Sequence, residues 1–530
     1  MRWTALLLLA LAMFCSYVFM DILSPIKDLM QDTRGWDSAS FGRMQGAEVF
    51  LNVYVFFLIF AGIILDKMGV RFTAVLSGAV MLFGGAIKYY ACSDAFVGTG
   101  LEAWFTTHLN WDGDIPIIGT ILPFAEGMPA SAKLAALGFM FFGCGCEMAG
   151  ITVSRGIVKW FKGRETALAM GSEMALARLG VATCMIFSPY FAKLGGEVHV
   201  DNAVKFGVVL LCIALIMFIV YFFMDKKLDG QTGEAEEKDD PFKISDLGKI
   251  FSSLGFWLVA LLCVLYYSAI FPFQKYAVNM LQCNLDLTPA DPNTFWGGES
   301  VTWVQYLLML VVAAGSFSSN FIKKNKGLKY GLMGLAVVAL VVYCYMGYMR
   351  GTAETIFAVF PLLAVAITPI LGNYVDHKGK AASMLMLGSI LLVICHLTFA
   401  FVLPGVSAAS AAGGVVVAYV TILVLGASFS LVPAALWPSV PKLVDEKIIG
   451  SAYAAIFWIQ NIGLGLFPAL IGLVLNKTNK EGAAAHELDY TWALVMLAAL
   501  GIAALLISVY LKAVDKKKGY GLEEPNIKES

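Results

Sequence analysis

Charge is scarce in this sequence: Asp, Glu, Lys and Arg make up only 14% of its 530 residues, against 59% hydrophobic ones. A water-soluble domain carries about a quarter of its residues as charges to cover its surface, so that class is excluded. Histidine is rarer still, with five in the chain. No Cys/His spacing has the pattern of a zinc or iron–sulfur framework, and Cys144 and Cys146 read as small packing residues inside an apolar run. Gly-x-x-x-x-Gly-Lys-Ser/Thr is absent, which removes the phosphate cradle of a nucleotide-driven machine. Neither a Ser/His/Asp set nor a metal cluster supports an enzyme, and no cofactor is implied. No stretch interleaves basic and aromatic residues, which sets nucleic acid aside as a partner, and a formal net charge of -1 favours no other. Met1 to Leu11 imitates the start of a signal peptide but is followed by no small-x-small cleavage site, so it reads as a first membrane helix.

What the sequence has in abundance is long apolar runs, at a mean hydropathy of +0.77. A helix crossing about 30 Å of hydrocarbon needs about 20 apolar residues, and such runs recur between polar breaks. Six come first: Trp3 to Leu23, Val49 to Leu65, Phe72 to Tyr90, Leu134 to Val158, Ala167 to Phe191 and Phe206 to Phe223. Eight more follow: Phe256 to Met280, Val304 to Ile322, Tyr330 to Met349, Thr355 to Val375, Ala381 to Leu403, Val415 to Leu436, Ile449 to Leu475 and Trp492 to Leu511. The expected fold is all-α and transmembrane, with about 14 helices. Its expected parts are a six-helix bundle over 1–224, a cytoplasmic linker over 225–252 that is too polar to bury itself, a second bundle over 253–513, and a cytoplasmic tail over 514–530.

Lys and Arg accumulate on the cytoplasmic side of short membrane connections. Lys67 and Arg71, then Lys159, Lys162 and Arg164, the linker, Lys323, Lys324, Lys326 and Lys329, then Lys378 and Lys380, Lys442 and Lys447, and Lys516 to Lys518 all fall on one side of the alternating path. Both termini are therefore expected inside. The opposite side holds a long, cation-poor loop from Cys92 to Ser131 with Trp104, Trp111, Asp112 and Asp114.

The chain also repeats itself. Gly62, Asp66, Gly69 and Arg71 close the second helix, and Gly372, Asp376, Gly379 and Lys380 stand in the same order about 310 positions later. Glycines permit a tight turn there, and the carboxylate can cap a neighbouring helix or pair with a cation. A second pair of turns, Lys159 to Glu165 and Lys442 to Lys447, is offset by about 283 positions. The unequal offsets leave room for one extra hairpin, expected near 303–349 and alternatively beginning at Phe256.

The Gly62 to Arg71 turn resembles the signature between helices two and three of the major facilitator superfamily, and Lys159-Trp160-Phe161 with Arg164 and Glu165 is similar to its turn between helices four and five. Ala435 to Pro438, Gly450 to Tyr453, Ile459 to Leu464 and Phe271 to Phe273 resemble the branch that contains the lysosomal dipeptide carriers. The resemblance implies two six-helix bundles and alternating access. It does not account for the extra hairpin, and with the first helix starting at Trp3 no tail precedes it for a sorting signal, so a bacterial inner-membrane relative is expected.

Ionisable side chains inside a membrane are costly and mark function by default. Glu147 and Arg178 each lie 11 residues from the cytoplasmic ends of their spans, about 16 Å deep, which puts them at one depth near the midplane. A carboxylate and a guanidinium so placed can hold the ammonium and carboxylate of a zwitterion. The resemblance points the same way, since the dipeptide carriers place an acidic residue and an arginine at these helix positions. The bland alternative is that the two neutralise each other. Glu173, about 140° around the helix from Arg178, is either a packing or gating group or a site residue, and Asp21 and Glu48 are either outer-gate groups or solvated ones. From the second half, Gln460, Asn461, Tyr266 and Tyr267 are expected to offer hydrogen bonds and aromatic surface to substrate, beside a kink at Pro272.

The expected protein is a secondary-active or facilitative carrier, its partners a small-molecule substrate, best a dipeptide, and the lipid bilayer. The alternative is a proton-coupled carrier of organic anions or sugar acids, with Arg178 on the substrate and Glu147 as proton site. A third class is an assembly or signalling membrane protein that keeps a transporter fold.

Overall fold

A backbone N–H or C=O left unpaired in hydrocarbon costs several kcal/mol, so a chain of this composition must close its hydrogen bonds within helices. The computed structural model describes all residues except 112–121, 162–165, 233–243, 323–324, 445–448 and 527–530. Lys162, Arg164, Glu165, Lys323, Lys324, Lys447, Asp112 and Asp114 lie outside the described residues, as does the middle of the linker. Among the described residues there is no strand, and 13 helices are long and apolar enough to span a membrane. One of these, Phe57–Cys92, is two helices joined at Gly69, whose φ of 77° and ψ of 168° only glycine adopts without strain. The expected count of about 14 follows. The backbone divides into two compact units, Met1–Pro241 with Gly465–Ala485, and Phe242–Leu464 with His486–Ser530.

In the first unit the main helices are α1 (Arg2–Met20), α2 (Lys27–Arg34), α3 (Ser38–Gly46), α4 (Phe50–Tyr54), α5 (Phe57–Cys92), α6 (Gly100–Thr107), α7 (Ala130–Phe161), α8 (Thr166–Ala192) and α9 (Val200–Thr232). Lipid gives packed helices no hydrophobic reward, so they are joined where small residues let backbones touch. The α5–α7 pair is built this way: a Cβ on Gly138 would stand 2.7 Å from both the Gly84 carbonyl oxygen and the Lys88 nitrogen. A Cβ on Gly145 would meet the Met81 nitrogen at the same distance. The crossing of α1 with α8 uses Gly180 against the Phe14 carbonyl, and that of α1 with α9 uses Gly207 against Phe19.

In the second unit come α10 (Ile244–Ser252), α11 (Leu254–Asn284), α12 (Glu299–Phe321), α13 (Lys326–Arg350), α14 (Ala353–Phe357), α15 (Val359–Lys378), α16 (Ala381–Leu397), α17 (Leu403–Ala409), α18 (Ala411–Leu443), the start of α19 (Ile449–Thr478) and α20 (Thr491–Lys518). The hairpin near 303–349 is the antiparallel pair α12–α13, which packs mainly on itself and then on α15. A cation near its end ties it: Arg350 donates to Gln305 Oε1 at 2.7 Å and Thr302 Oγ1 at 2.8 Å, both side chains buried. Tyr343 on α13 donates to the Thr355 carbonyl of α14 at 3.0 Å, which fixes the hairpin to the start of the next span.

Gly138→Val should push α5 and α7 apart at their closest point and destabilise the folded chain by about 1–3 kcal/mol. The thermal midpoint of the detergent-purified protein checks this, and an unchanged midpoint would contradict the α5–α7 contact.

Candidate functional site

Two helices of the first unit carry the charges expected near the midplane. Glu147 is the 18th residue of the 32-residue α7 and Arg178 the 13th of the 27-residue α8, so each is held mid-helix, and each side chain is half-buried. The Arg178 guanidinium carbon lies 5.9 Å from the ring centre of Tyr17 on α1, at the outer limit of cation–π contact. Tyr17 in turn lies in the electrostatic field of Arg178, Glu173 and Glu147, and Glu173 in that of Arg178. Three helices thus contribute to one polar cluster: Tyr17 from α1, Glu147 from α7, and Glu173 with Arg178 from α8. Tyr17 carries no sequence signal beyond being a hydroxyl inside an apolar run. Glu173 joins the cluster although 140° of rotation separates it from Arg178, because a long guanidinium side chain covers such a gap.

Asp21 is 1% exposed and accepts from Ser24 Oγ at 3.2 Å, while Gln45 donates to Ser24 at 3.3 Å. A solvated surface role for Asp21 is thereby ruled out. The Glu48 backbone carbonyl sits against Gly143 of α7.

The second unit gives its expected site residues different surroundings. Tyr266 is fully buried, 2.6 Å from Ser428 Oγ; Ser428 spends its one hydrogen on the Gly388 carbonyl at 2.8 Å, so Tyr266 is the donor. That chain of bonds joins α11, α18 and α16. Tyr267 accepts from Trp437 Nε1 at 3.1 Å and packs edge-on against Phe429. Trp437 stacks on Phe457 at 4.8 Å and lies 6.0 Å from Tyr453. Gln460 accepts from the Cys263 thiol at 3.3 Å, and Asn461 is 3% exposed. An aromatic wall of Tyr267, Phe271, Phe429, Trp437, Tyr453 and Phe457 therefore runs across α11, α18 and α19. Two prolines shape it. Pro272 lies inside α11, and Pro441 inside α18 removes the N–H that would pair the Trp437 carbonyl; Tyr453 donates to that carbonyl at 2.9 Å instead. His396 on α16, also fully buried and missed by the sequence reading, donates through Nε2 to the Ala269 carbonyl at 2.9 Å. An acceptor-only partner fixes that tautomer.

The repeated turns are held by different partners. In the first unit Arg155 of α7 pairs with Asp66 at 2.5 Å, and Arg71 lies 3.6 Å from Asp225. Asp225, at the end of α9 and fully buried, also accepts from Lys159 at 2.7 Å, Trp160 at 2.8 Å and Tyr221 at 3.3 Å. Nothing crowds the place of a Cβ on Gly62, so space alone does not require glycine there. In the second unit Asp376 accepts from Asn526 at 2.9 Å, Gly379 has φ 71°, and Lys380 takes a left-handed φ of 63°. Asp225 was read from sequence as the first residue of a linker; only its helix partners reveal it as a buried hub.

The Major Facilitator Superfamily profile matches residues 115–353. The lysosomal dipeptide transporter MFSD1 of Bos taurus is 25% identical over 373 residues, covering 68% of this chain and 62% of the relative. MFSD1 of Homo sapiens is 23% identical over 374 residues, with 68% and 63% covered. The match thus spans less than two thirds of the length of these curated relatives. Among solved structures, the nucleoside transporter NupG superposes with a TM-score of 0.58 at 12% identity over 96% of this chain and 99% of its own. A structure on substrate recognition in proton dependent oligopeptide transporters gives 0.54 at 12% identity, over 97% and 99%. At such identities the structural likeness speaks for the fold alone. With the repeated turns, the membrane helices and these matches together, the chain is similar to major facilitator superfamily proteins in sequence and shares their fold, and the curated relatives it matches are named as lysosomal dipeptide transporters.

Proposed function

We propose that this chain is a membrane carrier working by alternating access on dipeptides or similar small zwitterionic peptides. The observation that carries the reading is the polar cluster of the first unit, in which Arg178 and Glu147 sit mid-helix among Tyr17 and Glu173. Arg178 offers a planar fork to the peptide carboxylate, and Glu147 a counter-charge to its ammonium group. The Tyr17 ring faces the guanidinium at 5.9 Å. The likeness to relatives named as lysosomal dipeptide transporters supports the substrate class.

Glu173 favours a second reading. Arg178 acts on Glu173, and in this reading Glu147 is the carboxylate that carries a proton when the site is empty, as an organic-anion carrier driven by protons requires. There Arg178 binds the anion and Glu147 titrates.

For sidedness, the cationic connections favour both termini in the cytoplasm. Lys326 and Lys329 favour the same side for the α12–α13 turn.

Two measurements follow. Arg178→Lys keeps the charge and loses the fork, so it should weaken dipeptide binding by about 1–3 kcal/mol, roughly five- to 150-fold. Glu147→Gln should strongly weaken free dipeptides and barely affect N-acetylated ones; if anion binding instead survives while its pH dependence disappears, the second reading holds. Asn325→Cys should resist an impermeant thiol reagent added outside intact cells, and efficient labelling would reverse the assigned sidedness.

A further inference from the structure

The two units solve the same local problem with different chemistry, and the difference lies in the chain's last described residues. Lys159 on α7 and Asp225 on α9 form a direct ion pair of 2.7 Å in the first unit. Their counterparts by repeat are Lys442 at the end of α18 and Asp515 near the end of α20, about 283 and 290 positions on. Asp515 acts on Lys442 electrostatically, so the two are within reach of one another. Yet each bonds to a third party. Lys442 Nζ donates to the carbonyls of Gly521 at 2.9 Å and Glu524 at 3.0 Å, and Asp515 Oδ1 accepts from the Leu522 nitrogen at 3.0 Å. The segment 519–526 is threaded between the members of the pair.

The same segment closes the repeated turn. Backbone N–H groups of Lys380 and Ala381 donate to the carbonyls of Glu523 at 3.1 Å and Leu522 at 3.0 Å. The Glu523 carboxylate accepts from the Ser383 nitrogen at 2.8 Å and from its hydroxyl at 2.8 and 3.0 Å, capping the first turn of the 17-residue α16. Asn526 reaches Asp376, and Leu522 is fully buried. Gly379 is required for this docking, because a Cβ there would stand 2.5 Å from the Glu523 carbonyl oxygen. In the first unit the equivalent turn takes its partners, Arg155 and Asp225, from its own helices.

We propose that the segment 519–526 is a strap with two positions. Docked, it holds the Asp376–Ser383 turn and keeps Lys442 and Asp515 apart. Released, it leaves the turn open and lets Lys442 and Asp515 pair directly, as Lys159 and Asp225 do. Both positions give a partner to each of the same two charged side chains, the buried Asp515 and the half-buried Lys442, which is what makes the arrangement bistable. As a brake on the turn, the strap sets the turnover of the carrier proposed above and rests on that reading for its effect on transport, but not for its two positions.

The structural half is tested on the purified full chain. Hydrogen exchange at the amides of Lys380, Ala381 and Ser383 should be slow in the wild type and at least about tenfold faster in a chain ending at Lys518. Glu523→Ala, a milder change that leaves the main-chain bonds, should speed it about two- to thirtyfold. Equal rates in all three overturn docking. A thermal-midpoint cycle of Lys442→Met and Asp515→Asn needs no substrate: coupling that is weak in the full chain and strong in the shortened one is expected, and equal coupling in both overturns the switch. For transport, a disulfide between Ser383→Cys and Glu523→Cys should slow dipeptide uptake at least about fivefold, with recovery on reduction. Uptake that ignores the disulfide overturns the brake, whereas a wild type that takes up no dipeptide fails the carrier reading and leaves the exchange and coupling results to judge the strap.

Discussion

Everything in this molecule depends on the poor reward that lipid gives for bringing helices together. Apolar side chains are as comfortable against acyl chains as against one another, so cohesion has to come from close backbone approach and from polar groups with nowhere else to go. The α5–α7 pair uses the first device, with glycines from both helices meeting face to face. The α11–α18–α16 junction uses the second, through the Tyr266–Ser428–Gly388 series. Charges are then free to be placed only where they have work, because each one costs free energy that packing does not return. This is why so few charged side chains occur within the spans, and why Glu173 and Arg178 of the first unit stand in one another's field.

The repeated turns show how one sequence pattern takes two forms under that constraint. A carboxylate, a glycine and a cation recur in order, and in each copy the glycine takes a positive φ, with a second, steric demand added at Gly379. At Gly69 the backbone itself enters a region closed to side chains, while at Gly379 another stretch of backbone lies where a Cβ would be. The partners are recruited locally: helix ends in the first unit, the end of the chain in the second.

Hydropathy made the spans, the extra hairpin and the paired turns legible, since each depends on composition over many residues. The mid-helix positions of Glu147 and Arg178 were legible for the same reason, as they depend only on where the apolar runs begin and end. What pattern reading missed depends on which side chains meet. Asp225 looks like the polar start of a linker until Lys159, Trp160 and Tyr221 are seen around it. Tyr17 and His396 are single polar groups in apolar runs, and no period distinguishes them from packing residues. Tyr266 and Tyr267 are neighbours in sequence with the same side chain, yet one ties helices together out of reach of solvent and the other joins the aromatic wall. Adjacent positions on a helix point 100° apart, so identity of residue type says nothing about shared duty.

The hydroxyl of Tyr453 has a mechanical meaning that its modest hydrogen bond conceals. By completing the valence of a carbonyl that Pro441 leaves open, it makes the last turns of α18 incomplete without α19. A regular helix carries its whole ladder with it when it tilts and can slide past a neighbour at little cost. Here one rung belongs to the neighbour. The last turns of α18 and the first turns of α19 are thus yoked like a crank and its connecting rod, and any tilt of one must be transmitted to the other or leave a peptide oxygen without a partner.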